Sequence, residues 1–221
     1  MKRKVACLLL VSGLAAAGSA SALGIGVRAG TTGVGADLGF GIVPTLSARI
    51  GYSALSYSRD VDVTDIRYDG DLKLSNLSAL LDFSPLPGPF RITGGLIFND
   101  NKVDVTGRPS NGTYTINGVS YPSTAVGSLS GSVKSGNRAA PYLGIGYGSV
   151  AGFGVNFYFD LGVMFQGRPE AGLSVTCGSA LSAAQCTQLR TDVAAEQARL
   201  QNEVRNFRYY PVANIGVTIG F

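Results

Sequence analysis

The 221 residues carry 18 basic and 14 acidic side chains for a formal charge of +4, with 31 glycines, ten tyrosines, ten phenylalanines and no histidine. Lys2, Arg3 and Lys4 supply three of the basic residues, so the rest of the chain is nearly neutral and offers no basic patch for nucleic acid. A chain without histidine cannot build a Ser-His-Asp triad, and Cys177 and Cys186, spaced C-x8-C with no histidine, make a poor zinc site.

The first 22 residues read as a secretory signal: "MKRK" is basic, "VACLLLVSGLAAAG" is apolar but too short to span a bilayer, and Ala20–Ala22 offers a small-x-small cleavage site. A retained anchor is the alternative, and it falls short of the ~20 apolar residues a spanning helix needs. Removing residues 1–22 leaves 199 residues with 15 basic and 14 acidic side chains, a net +1. No later apolar run approaches the ~18 residues of a transmembrane helix.

Strands dominate the rest. Apolar residues recur at every second position, the signature of a strand with one apolar and one polar face. The pattern places strands near 24–31, 33–41, 46–58, 67–83, 90–104, 138–148, 153–176 and 206–221. A phase change at "GTTG", Gly30 to Gly33, reads as a tight turn, and another between Leu74 and Leu77 reads as a bulge near Ser75 and Asn76. In "GVNFYFDLGVMFQG", Val155, Phe157, Phe159, Leu161, Val163 and Phe165 oppose Asn156, Tyr158, Asp160, Gly162, Met164 and Gln166. A soluble sandwich also alternates. Here the polar face is glycine-rich and carries ions, and large aromatics gather near strand ends. Both features suit a small membrane barrel with interfacial girdles.

"IVPT", "SPLPGP" and "GSVAG" are short turn-like connections, whereas residues 59–66, 105–137 and 177–205 are longer. Short turns on one side and long loops on the other match an outer-membrane barrel with the short set in the periplasm. "TYTINGVSY" alternates either side of Asn117-Gly118, a hairpin signal, and predicts an outward extension of the barrel wall in the loop at about 105–137. The loop at about 178–205 contains "LRTDVAAEQARLQNEVRNF", a helix with Leu189, Val193, Leu200, Val204 and Phe207 on one face and a Glu196/Arg199 pair on the other. Cys177 and Cys186 are expected to form a disulfide just before it, since export delivers the chain to an oxidising compartment; two free thiols are the alternative. The helix reads equally as a lid or receptor-facing element and as simple cover for the loop.

An exported chain of eight alternating strands, ending "YYPVANIGVTIGF" from Tyr209 to Phe221, resembles the small eight-stranded outer-membrane β-barrels of Gram-negative bacteria, the OmpA-like, OmpW-like and CarO-type group. The resemblance implies an all-β, eight-stranded antiparallel transmembrane barrel (23–221) in the outer membrane, with one helical extracellular loop. It also implies that Tyr209, Ile215, Val217, Ile219 and Phe221 form the terminal signal read by the barrel-assembly machinery. Signature segments of the OmpW-like barrels, which carry hydrophobic cargo, are not evident, and no OmpA-type peptidoglycan domain is expected after Phe221. Lipases, acylases and proteases among outer-membrane barrels are built with catalytic histidines, so the resemblance to those enzymes fails. "GIGYG", Gly144 to Gly148, lacks the following helix of a phosphate loop. No catalytic residue, cofactor or metal is expected.

The candidate site is therefore the barrel interior. Arg28, Arg49 and Arg91 share the inward side with Asp37, Tyr158 and Asp160. An eight-strand interior is just wide enough for side chains to fill, so the ions either pair as a plug or line a narrow conduit for a polar solute, with a gated plug between the two. The corresponding functions are a structural or surface barrel, meeting lipopolysaccharide or another surface partner, and a small solute channel. No nucleic-acid partner is expected.

Overall fold

A computed structural model describes residues 22–63, 66–109 and 113–221; the proposed signal peptide lies almost wholly outside the described residues. Eight strands pair in a closed antiparallel ring: β1 (Leu23–Gly30), β2 (Gly33–Val43), β3 (Leu46–Val63), β4 (Ile66–Phe83), β5 (Phe90–Asn99), β10 (Ala139–Tyr147), β11 (Gly154–Phe165) and β13 (Tyr209–Gly220). Following the pairings from β1 through β2, β3, β4, β5, β10, β11 and β13 returns to β1, where Gly24 faces Gly220 and Gly30 faces Asn214. Leu23 and Phe221 exchange backbone hydrogen bonds of 3.1 and 3.0 Å at the seam. A closed ring leaves no strand edge unpaired. "GTTG" is the predicted turn: Gly30 pairs with Gly33, whose φ of 103° suits glycine.

The two faces separate as the alternation requires. Ile25, Val27, Ile50, Leu81, Ile145, Phe157, Ile215 and Ile219 are exposed on the outside, whereas Arg28, Asp37, Arg49 and Asp160 are buried inside. The outward row on β11 runs from Val155 to Phe165. At about 3.3 Å per residue that is roughly 33 Å of strand, or roughly 25 Å along the axis at a tilt near 40°, the height of the apolar band of an outer-membrane barrel. Exposed aromatics bracket it, with Tyr52, Phe98, Phe165 and Tyr209 at one edge and Phe40, Phe83, Tyr147, Phe157 and Phe221 at the other.

Several boundaries differ from the periodicity. The predicted strand 90–104 is two, β5 and β6 (Lys102–Pro109), parted at Asp100-Asn101. The predicted strand 153–176 is likewise β11 and β12 (Glu170–Cys177), parted near Gly167, whose φ of 74° turns the chain. No bulge interrupts β4 at Ser75 and Asn76, since its register with β3 is continuous from Val63/Ile66 to Leu46/Phe83. The apparent phase change marks a change of neighbour: Asn76–Phe83 pairs with β5, and Ile66–Lys73 with β6. Residues 59–63 and residue 66, expected in an extended loop, belong to β3 and β4; residues 64–65 lie outside the described residues.

Beyond the ring the long hairpin continues into a second layer, in the order β3, β4, β6, β9 (Val126–Lys134), β12. This sheet is the outward extension of the wall. The Asn117-Gly118 hairpin, expected to provide it, is a separate ribbon of β7 (Thr113–Ile116) and β8 (Val119–Pro122), with φ of 52° and 77° at its two-residue turn. Helix α1 (Ala183–Val204) lies against β12 and starts at a Ser182/Gln185 capping box. Its Gln197 and Gln201 side chains accept hydrogen bonds from the Leu173 and Ala171 backbone N–H groups at 3.2 and 2.8 Å. The disulfide Cys177–Cys186 ties the end of β12 to the first turn of α1 across a Cα separation of 5.7 Å. Phe207 is not on the helix face; the helix has ended and Phe207 is exposed. Glu196 and Arg199 pair at 3.3 Å on the solvent side.

Leu189 and Val193 of α1 are buried against Tyr114, Ile116, Tyr121 and Val126, so helix and ribbon share one small apolar core. At its margin Asp192 accepts hydrogen bonds from the Tyr121 hydroxyl, from Asn117 Nδ2 at 3.2 Å and from Gln188 Nε2 at 3.4 Å. These donors, Tyr121 first, hold the Asp192 carboxyl below its usual pKa, and the same bond together with burial pushes Tyr121 up to about 12. A lowered acid contributes stability above about pH 4 and loses it on further acidification; a raised phenol contributes below about pH 10 and loses it toward pH 12. Docking of α1 on the ribbon should therefore be level between about pH 4 and 10 and weaken outside that window. Hydrogen exchange of the α1 amides across this range reads it, and Tyr121→Phe should remove the alkaline limb.

Candidate functional site: an ionic layer across the barrel

Six of the eight barrel strands each place one charged side chain in the lumen: Arg28 on β1, Asp37 on β2, Arg49 on β3, Asp82 on β4, Arg91 on β5 and Asp160 on β11. Strand period alone sends them inward, because each sits in phase with small or polar residues opposite an apolar row. Three guanidinium groups meet three carboxylates, so the layer is neutral. Arg49, 1 % exposed, lies at its centre. Its Nη1 donates to Asp160 Oδ2 at 2.7 Å and its Nη2 to Asp82 Oδ1 at 3.3 Å. Arg91 bridges the same two acids, with Nη2 to Asp160 Oδ1 at 2.5 Å and Nε 3.2 Å from Asp82 Oδ1. Arg28 donates to Asp37 Oδ1 at 2.8 Å and to the Ser78 hydroxyl at 3.2 Å. The Tyr158 hydroxyl donates to the other Asp37 oxygen, and its ring lies 5.3 Å from both the Arg49 and the Arg91 guanidinium carbons. Tyr158 thus joins the Arg28–Asp37 pair to the four-ion cluster through a hydrogen bond and two cation–π contacts.

The two remaining strands contribute room. A Cβ on Gly216 of β13 would stand 2.3 Å from the Tyr158 ring, and one on Gly146 of β10 would stand 2.6 Å from Arg91 Nε. Small inner-wall positions are therefore set by the large side chains that lie across them.

The layer is closed on both sides. Toward the long-connection end Leu80, Ile97, Ala140, Tyr142, Met164 and Val212 fill the lumen with an apolar layer. Between the two layers a cavity of about 10 Å³, lined by Arg28, Asn76, Tyr142 and Asp160 among others, is the size of a single water. At the short-turn end the β10–β11 connection tucks across the mouth. Val150 is buried there, Thr218 donates to the Ser149 carbonyl at 3.3 Å, and a Cβ on Gly24 or Gly39 would stand 2.1 or 2.2 Å from the Val150 carbonyl oxygen.

All six residues expected in the interior, Arg28, Asp37, Arg49, Arg91, Tyr158 and Asp160, are brought together in this layer. Asp82 was not among them, although it also accepts from the Thr93 hydroxyl at 2.6 Å and is the hub between two arginines. Its phase with Asn76, Ser78 and Leu80 marks it as inward on the strand predicted over 67–83. Ile215, Val217, Ile219, Phe221 and Tyr209 stand in one outward row along β13, with Tyr209 packed edge-on against Phe165 at 5.6 Å between centroids.

No family model matches this chain, and no curated protein matches it significantly. Among solved structures, the crystal structure of Acinetobacter baumannii CarO2 superposes with a TM-score of 0.61 at 21 % identity, covering 91 % of this chain and 99 % of that one. Acinetobacter baumannii CarO superposes with a TM-score of 0.58 at 23 % identity, covering 90 % of this chain and 97 % of that one. The overall fold is thus one that this chain has in common with the CarO proteins.

Removing one member of a buried ionic set strands the others, at about 3–5 kcal/mol. Arg49→Ala should lower the unfolding free energy of the refolded barrel, read from urea titration, by that amount. Arg49→Met combined with Asp160→Leu, which restores neutrality, should cost less than Arg49→Ala alone. Gly216→Ala should be destabilising despite its size, through the Tyr158 ring.

Proposed function

We propose that this chain is an integral outer-membrane β-barrel of a Gram-negative envelope, closed along its axis, whose outer sheet and helix are its working surface. The carrying observation is the neutral ionic layer, held between an apolar layer and a tucked turn. A conduit for a polar solute needs a continuous polar path, and the side chains that could line one are spent on each other. The apolar outer band, about 25 Å tall, supports the membrane location.

The distribution of charge supports the orientation. Among the described residues, every charged side chain is either in the lumen or at the long-connection end. The connections at 44–45, 84–89 and 148–153 carry none. The short-turn end, with both barrel termini, then faces the periplasm, and the β7–β8 ribbon, the outer sheet and α1 face outward. The β13 row ending at Phe221 is the segment we assign to the barrel-assembly machinery. We read the chain as a non-enzyme, on the expectation that its histidine-free sequence sets.

A gated conduit is the second reading. It is favoured by Asp82 Oδ2, which is buried without a hydrogen-bond partner, and by a recess of about 730 Å³ among the short turns with Arg91 in its lining. Planar-bilayer recording separates the two. The refolded chain should shift its gel mobility on boiling, as folded barrels do, and be electrically silent at neutral pH. Steady conductance that Arg49→Ala alters would establish the conduit, and a soluble chain with no mobility shift would overturn the membrane reading.

A further inference from the structure

On the outer sheet, three lysines stand side by side. Lys73 of β4 is directly opposite Lys102 of β6, and Lys102 is directly opposite Lys134 of β9. Cross-strand partners project from the same face, and like charges placed directly opposite destabilise a sheet. The surroundings relieve part of this, because Glu170 of β12 is directly opposite Lys134 on its other side. Asp104 pairs with Lys102 at 2.6 Å, while Lys73 and Lys134 make no ion pair among the described residues. Both are exposed.

The height of the row explains it. The face is the continuation of the barrel's outer wall: along β4, Phe83, Leu81, Ala79 and Leu77 point outward in the apolar band, followed by Ser75 and then Lys73. A single row, Ala54 and Ser75, separates the lysines from the aromatic edge at Tyr52 and Leu77. The next row beyond, Asp71 and Asp104, is acidic. The wall therefore passes from apolar to basic to acidic along its height, with the cations at the level of lipid headgroups and the anions kept farther out. Lysine stems can lie along the wall and carry their ammonium groups toward that level.

We propose that Lys73, Lys102 and Lys134 form a binding row for the phosphate groups of the phosphorylated glycolipid in the leaflet that surrounds this end of the barrel. The assignment rests on the outward orientation of the long-connection end proposed for the membrane-embedded barrel. Bound phosphate neutralises the cross-strand repulsion that the sheet otherwise carries, and the acidic row beyond repels a ligand that sits too high.

The test uses the refolded full barrel in zwitterionic phospholipid vesicles doped with bis-phosphorylated lipid A, with lipid carried through extraction counted by native mass spectrometry. Wild-type protein should retain the glycolipid, less so at high salt. Replacing all three lysines by glutamine should weaken retention by about fivefold per lysine, about a hundredfold in all. Arg199→Gln on the exposed side of α1, with Arg205→Gln at its C-cap, should leave retention unchanged. Equal retention by the triple variant, equal retention of dephosphorylated lipid A, or equal retention of phosphatidylglycerol overturns the assignment. A barrel that inserts normally but is indifferent to the lysines fails this proposal alone. A chain that does not insert fails the membrane reading and this proposal together.

Discussion

A guanidinium group buried inside a closed eight-stranded ring has too little water to solvate its charge, and most of the architecture derives from that constraint. Three arginines can be buried only if carboxylates meet them. The sequence therefore places Asp37, Asp82 and Asp160 on strands whose register brings them to the same height. Because the acids come from β2, β4 and β11, the network ties strands far apart in sequence: Arg49 and Asp160 are 111 positions apart and Tyr158 and Asp37 are 121. Backbone pairing closes the wall, and the ionic layer fixes the lumen within it. The glycines at 146 and 216 are the counterpart, yielding volume where Arg91 and Tyr158 cross the axis.

The chain has two interiors built on opposite principles. The lumen is polar at one level and apolar at the next, enclosed by a wall whose outside is apolar. The outer layer has a small apolar core of its own, with Leu189, Val193, Tyr114 and Ile116 buried and polar groups at the rim. One long hairpin belongs to both. Along β3 and β4 the same outward face changes from Ile50, Tyr52 and Leu77 to Ser56, Ser58 and Lys73 without any break in register. The backbone is indifferent to that change; only side-chain chemistry marks where the band ends.

Much of the ring was legible because period-two alternation reports which face meets which medium. The outward row of "NIGVTIGF", the turn at Gly30–Gly33 and the inward phase of Arg28, Arg49 and Asp160 all derive from it. Alternation carries no information about a strand's neighbour. At Leu74–Leu77 a change of partner from β6 to β5 had the look of a bulge. At Asn99–Lys102 and Gln166–Glu170 the alternation continues across points where the chain leaves the ring for the outer sheet. Asp82 was hidden for the same reason, since its role depends on Arg49 and Arg91 being brought beside it by pairing between strands.

The outer sheet, unlike the ring, has an end. Strand β12 is its last member, and a last strand offers unpaired backbone donors to any passing chain. Gln197 and Gln201 of α1 occupy those of Leu173 and Ala171, and the disulfide keeps the helix from drifting away. The helix thus works as a terminator for sheet growth. Another strand approaching this border would find two of its donors, Ala171 and Leu173, already taken by the chain's own helix.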